Sequence, residues 1–187
     1  MMKPDYIISN GFSAKNKKQK KYFKAKFIEI PCRTIEDYID ALKILGRILD
    51  CPKKADKEAD IAYRKLQELR RSAAQKKDKP TAIWVIWHNP LLIAGPGSLP
   101  DTVMELAGLQ NAAKVNVEYF RCSREWMVLQ KPDYIIWTVG GVPFRRTGIW
   151  ARYRNNQVIS NLNHATVLRP GPRIFDGIDQ LRDALEK

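Results

Sequence analysis

Two continuous apolar runs, AIWVIW at residues 82–87 and DYIIWTV at 133–139, set the tightest limit on what this chain can fold into. Strands without polar alternation are buried on both faces, so helices must cover the sheet on both sides. Between and after these runs the helical patterns alternate with strands: LPDTVMELAGL at 99–109, stopping at Gly108, and SREWMVLQ at 123–130, opened by Ser123 as N-cap. FRRTGIWARYR is predicted as a further helix, QVISNL at 157–162 as a third strand, and IFDGIDQLRDALEK as the terminal helix. VNVEYF at 115–120 reads as a short extended segment. HNPLLIAGPGS at 88–98 and NHATVLRPGPR read as loops. From residue 81 onward the expected fold is α/β, a three-layer unit around a mostly parallel sheet.

The first 80 residues read differently. DYIIS at 5–9 and KFIEIP at 26–31 are predicted as short strands, with the Lys-rich stretch 13–25 as a helix between them: a βαβ fragment. Thr34 with Asp37 three residues later resembles a capping box. It opens a helix in which Ile35, Tyr38, Ile39, Leu42, Leu45 and Leu49 recur at helical spacing. Gly46 costs ~1 kcal/mol against Ala there without breaking the pattern. Pro52 suits the first turn of a second helix, 53–75, with Ile61, Leu66 and Leu69 on one face.

Charge is uneven. Of a net +13, residues 1–30 carry +6, with Lys15, Lys17, Lys18, Lys20, Lys21, Lys24 and Lys26 clustered. Such a cluster fits a solvated helix face, or an attraction to nucleic acid or anionic lipid. A basic nucleic-acid-binding α/β module using Lys15–Lys26 is therefore the second reading of function. No apolar run reaches the ~18 residues of a membrane span. No secretory signal core is visible at the start. Cys32, Cys51 and Cys122 are an odd count without a CxxC pair, which argues against a disulfide framework or structural zinc. No GxSxG elbow and no phosphate-loop lysine is present, so no enzyme activity is expected. No cofactor is called for.

KPDYII occurs at Lys3–Ile8 and again at Lys131–Ile136, which reads as two copies of one α/β unit. WVIWHNPLLIAGPGSLPDTVMELAGLQN, SREWMVLQKPDYIIWTVGG and LRPGPRIFDGIDQLRDAL, in that order, resemble the C-terminal lobe of ABC-transporter substrate-binding proteins for metal chelates: ferric siderophores, haem and cobalamin. The RPGPR segment and the loop after AIWVIW are most similar to the cobalamin and haem subgroups. The resemblance implies residues 1–33 as a remnant of the N-terminal lobe, 34–80 as an interlobe helical linker and 81–187 as the C-terminal α/β lobe. It implies non-covalent capture of a chelate such as a corrinoid, haem or ferric siderophore, and its delivery to an ABC permease. The location implied is periplasmic, or extracellular and membrane-anchored, with an export signal outside this chain. A first lobe with few strands leaves edges unpaired, so a homo-oligomer through the N-terminal segment is also expected.

Ligands of open α/β units lie beyond the carboxyl ends of strands, which singles out Trp87, His88 and Leu92 after the first apolar run. Trp87 serves as a ring platform for the chelate or as core; His88 ligates a chelated metal or simply hydrogen-bonds. His164 is the only other histidine, and two imidazoles are too few for a bare zinc or manganese cage. The resemblance further implies Tyr119 and Thr166 as ligand contacts and Glu125 as the carboxylate that docks on permease arginine. Arg145, Arg146, Arg152 and Arg154 form a basic cluster suited to propionates or phosphate, or to solvent.

Overall fold

The computed structural model describes residues 4–10 and 24–186. They fall into two compact units, residues 1–64 and 65–187, divided within one continuous helix. The helix expected over 13–25 lies outside the described residues, apart from its last two positions, and so does most of the Lys15–Lys26 cluster. No helix among the described residues is long and apolar enough to cross a membrane.

In the first unit, β1 (Tyr6–Ser9) pairs in parallel with β2 (Lys26–Glu29), in register from Tyr6↔Lys26 to Ser9↔Glu29. Helix α1 (Ile35–Ile48) starts where the spacing predicts. Thr34 Oγ1 accepts the Asp37 N–H at 3.0 Å, and the Asp37 carboxylate accepts the Thr34 N–H at 3.1 Å. This reciprocal cap satisfies two donors that the first helical turn leaves without partners. Helix α2 (Pro52–Gln75) buries Ala55, Ala59, Ala62, Leu66, Leu69 and Ala73. These recur every three or four residues and form one stripe. Ile61, predicted on that face with Leu66 and Leu69, lies off the stripe and is exposed. Four of the six buried positions are alanines. Gly46 of α1 approaches the start of α2 closely: a Cβ there would run into the Ala55 Cβ.

The second unit is a sheet with helices on both faces. Its strands are β3 (Thr81–His88), β4 (Leu91–Ala94), β5 (Gln110–Asn111), β6 (Tyr119–Arg121), β7 (Tyr134–Trp137) and β8 (Val158–Ile159). The order is β6-β4-β3-β7-β8, with β5 beside the start of β3. β3–β5, β3–β7 and β7–β8 are parallel; β3–β4 and β4–β6 are antiparallel. The sheet is thus mixed, with three parallel and two antiparallel pairings, and the cause of the antiparallel part is local. The segment 88–98, expected as a loop, turns back at Asn89–Pro90 (a cis peptide) and lays LLIA down as β4. A two-residue turn can only return a strand antiparallel.

Helices α3 (Leu99–Ala107), capped by Ser98 and ending at Gly108, and α6 (Ile174–Leu185) pack together on one side. Arg182 of α6 donates twice to the Leu106 carbonyl, at 3.2 and 2.8 Å, filling an acceptor that the end of α3 leaves open. Helix α4 (Arg124–Gln130), capped by Ser123, covers the other side with Met127 buried beneath it. NHATVLRPGPR is not all loop: His164–Val167 forms a short helix, α5. FRRTGIWARYR is not an α-helix. Gly148 adopts φ 58, a left-handed value that turns the chain into a short 3-10 segment, Gly148–Arg152.

Both copies of KPDYII end in a parallel strand, β1 and β7. Asp133 ties the second copy to its neighbour, accepting from the Thr81 N–H at 2.8 Å and the Thr81 hydroxyl at 2.7 Å. Trp84, fully buried on β3, donates to the Thr138 hydroxyl at 2.6 Å just beyond β7.

Candidate functional site

The carboxyl end of β3 carries the site, and a β-bulge shapes it. Val85 pairs with Ile93, but Trp87 pairs with Leu92 and His88 with Leu91, so one extra residue is inserted at Ile86. Plain alternation would put Trp87 on the face of Ile83 and Val85, in the core. The bulge turns Trp87 to the opposite face, where it is 44% exposed, and turns His88 toward the face of Val85.

On that face the core rises to the surface as a nest of rings. Trp137 stands at the end of β7, its indole N–H donating to the Val142 carbonyl at 2.9 Å. Phe144 and Trp150 meet it edge to face, with centroids 5.3 and 5.5 Å away. Such pairs contribute roughly 0.5–1.5 kcal/mol each beyond area burial. His88 lies 6.3 Å from Trp137 and 5.5 Å from Trp87. Tyr153, next to Trp150, is buried with its hydroxyl unpaired, and that burial pushes its pKa up.

A recess of about 510 Å³ opens over these rings, walled by His88, Leu91, Trp137, Ile149 and Trp150 and edged by Arg124 and Arg145. No carboxylate lines it. Of the four arginines clustered in sequence, Arg146 donates to the Ala151 carbonyl at 3.3 Å and Arg152 to the Val128 carbonyl at 3.0 Å. The Arg145 guanidinium has no partner among the described residues, and Arg124 has only the attraction of the neighbouring Glu125. A second recess of about 290 Å³ lies on the far side of the Trp137–Pro143 segment and includes His164. No group of three or more His, Cys, Asp or Glu that would hold a metal occurs among the described residues.

The sequence candidates are thus separated. His88 lines the recess and Trp87 stands beside it. Leu92, in β4 rather than in a loop, and Tyr119, in β6, lie on the Trp87 face, away from the recess. Thr166 is buried in α5, its hydroxyl donating to the Asn163 carbonyl at 2.7 Å. Glu125 sits in the first turn of α4, fully exposed. Its own backbone N–H and the Ser123 hydroxyl hold the carboxylate below its ordinary pKa. Leu129, one turn on and 73% exposed, shares its helix face. Arg145 belongs to the basic cluster that the sequence offers for propionates or phosphate; Trp137, Trp150 and Arg124 did not stand out as site residues. The available signal for Trp150 was arginines interleaved with aromatic residues after the second apolar run.

A family model described as periplasmic binding protein matches residues 1–161. No curated protein matches the chain. Similar solved structures include an ABC-transporter substrate-binding protein from Listeria monocytogenes, with a TM-score of 0.82 and 20% identity over 98% of this chain and 77% of that one. The vitamin B12-binding protein BtuF of Vibrio cholerae has a TM-score of 0.77 and 23% identity over 98% and 74%. A periplasmic haem-binding protein from Pseudomonas aeruginosa has a TM-score of 0.81 and 21% identity over 97% and 72%. At these identities the likeness establishes the fold. None of the three lends support to a homo-oligomer through the N-terminal segment.

Proposed function

The chain belongs to the periplasmic binding protein family, whose members are solute receptors and not enzymes, and on that basis we propose that its solute is a metal chelate handed to an ABC permease. Membership implies a periplasmic or extracellular location. The observation that carries the ligand reading is the ring-walled recess at the carboxyl ends of β3 and β7, where ligands of open α/β sheets bind. A planar or multi-ring chelate buries its faces on Trp137 and Trp150, with His88 at the strand end. Relatives that bind vitamin B12 and haem support this class. The work is capture and release, without bond-making.

The docking reading rests on Glu125. It is a fully exposed carboxylate with no salt bridge among the described residues, on a capped helix, suited to a cation on the permease. An exposed charge of this kind sets docking register and association rate more than stability.

Titration with iron protoporphyrin IX, cyanocobalamin and ferric siderophores, followed by tryptophan fluorescence, tests the first part. At least one binds, and Trp150→Ala weakens it while Trp87→Ala, on the opposite face, does not; binding of none refutes the reading. For the second, Glu125→Arg leaves melting temperature and chelate affinity intact and reduces uptake in proteoliposomes containing the permease. Normal uptake would remove the docking role.

A further inference from the structure

We propose that Arg152 is a positioning residue that couples the recess to the docking helix: filling the recess steadies Arg152 on the end of α4 and so orders the helix that carries Glu125. The proposal rests on the receptor reading above and adds to it a coupling within the second unit alone.

Helix α4 depends on its surroundings for its shape. It has seven residues, well below the ~12–15 at which an isolated helix becomes marginal in water. Ser123 caps its start and Met127 anchors its middle. Its end is less secure. Lys131 takes the C-cap at φ 45, a left-handed value that a residue with a side chain adopts at a cost. The last carbonyls of a helix find no donor within it. One of these, on Val128, accepts from the Arg152 guanidinium at 3.0 Å. Leu129, the next residue, shares the exposed face of α4 with Glu125.

Arg152 in turn belongs to a segment that the recess shapes. It ends the 3-10 turn Gly148–Arg152, in which Ile149 and Trp150 wall the recess. Residues three apart eclipse in such a turn, so Ile149 and Arg152 share one side of it. The turn is entered through Gly148 at φ 58, and the segment leading to it through Gly141 at φ 73. A Cβ at either would meet nothing within 4 Å, so these two points are held by few contacts. The Arg152 bond is exposed, and an arginine surrenders rotamer freedom to make it. A bond of that kind responds to whatever steadies its base. A chelate seated on Ile149 and Trp150 restrains the turn from its open side. Arg152 then has less freedom left to lose, its bond to Val128 persists for longer, and α4 frays less. Glu125 and Leu129 are presented on one ordered face when the recess is filled, and on a looser one when it is empty.

The test is amide hydrogen exchange, read by mass spectrometry on the whole chain, in peptides covering α4 and, as a control, α6. The probes are iron protoporphyrin IX, cyanocobalamin and ferric enterobactin, each used at saturation as judged by tryptophan fluorescence. A bound probe should slow exchange in α4 about threefold or more and leave α6 unchanged. Arg152→Met keeps the side-chain stem and removes the donors. It should hold the dissociation constant of that probe within about twofold and abolish the slowing. Arg152→Lys, which can still donate to one carbonyl, should restore part of it. Because Arg152 is exposed, both variants should melt within a few degrees of wild type. A purely structural Arg152 would instead give faster exchange in α4 by the same factor with and without the probe. That result overturns the proposal and leaves the receptor reading standing, as does an α4 indifferent to a bound probe in the wild type. Binding of none of the three overturns both.

Discussion

Thr138→Val tests the joint that fixes β7 against β3 directly beneath the recess. The Trp84 indole N–H and the Thr138 hydroxyl are 2.6 Å apart, Trp84 is 0% exposed and Thr138 5%. Valine keeps the shape and removes the acceptor, leaving an indole N–H buried without a partner. That costs about 1–3 kcal/mol, because the donor still loses its water. In a chain of this length each kcal/mol lowers the melting temperature by about 2–4 °C, so the fall is roughly 2–12 °C. Two further variants separate the bond from packing. Thr138→Ser keeps the oxygen and loses one methyl, about 0.8 kcal/mol of transfer free energy. In a Trp84→Phe background the donor is gone, and Thr138→Val becomes nearly neutral. Urea unfolding followed by far-ultraviolet circular dichroism supplies all four stabilities for the double-mutant cycle. If Thr138→Val costs as much in the Trp84→Phe background as it does with Trp84 in place, the bond has no part in holding the strands.

Asp133→Asn should destabilise the chain at pH 7, with the deficit shrinking as pH drops. The two Thr81 hydrogen bonds hold the Asp133 carboxyl below its ordinary 3.8, so its contribution is complete above 3.8 and fades as pH falls through the lower folded value. Thermal melts at pH 7 and pH 3 would contradict this if they gave equal differences from wild type. Gly46→Ala gains ~1 kcal/mol of helix propensity but forces a methyl onto Ala55. Overpacking of about 1–3 kcal/mol outweighs the gain, so a lowered urea midpoint is expected and a raised one would show that the two helices move apart easily.

The parts of this fold that were readable share one property: their signal is contained in a few adjacent residues. AIWVIW and DYIIWTV announce themselves as strands because no polar residue interrupts them. Thr34 and Ser123 mark helix starts because a cap acts within four residues. LLIA was hidden because Pro90 before it and Gly95 after it read as loop punctuation, and only pairing across to Val85 and Phe120 makes it a strand. FRRTGIWARYR has helical apolar spacing, yet its rings are claimed by Trp137, a contact distant enough to override local preference. The approach of Gly46 to Ala55 escaped for another reason: small residues reveal a close approach only once the neighbouring backbone is in place. At the recess, strand-end logic reached His88, whereas Trp87 stands on the opposite face. It missed Arg124 and Trp150, because their proximity depends on how the segment after Gly141 folds back. It also read Trp137 solely as core, whereas that ring is both core and floor.

The extra residue in β3 is a dislocation in an otherwise periodic strand. Up to Val85 odd-numbered positions face the rings; after Ile86 the even ones do. Chain length at that one point therefore acts as a selector. Removing Ile86 would restore the period, drive the Trp87 indole toward the ring nest and swing the His88 imidazole to the outer face, with no side chain altered. Two relatives that differ there by a single insertion would present different chemistry to the same ligand while agreeing at every aligned residue. In this stretch the count of residues carries as much information about specificity as their identities.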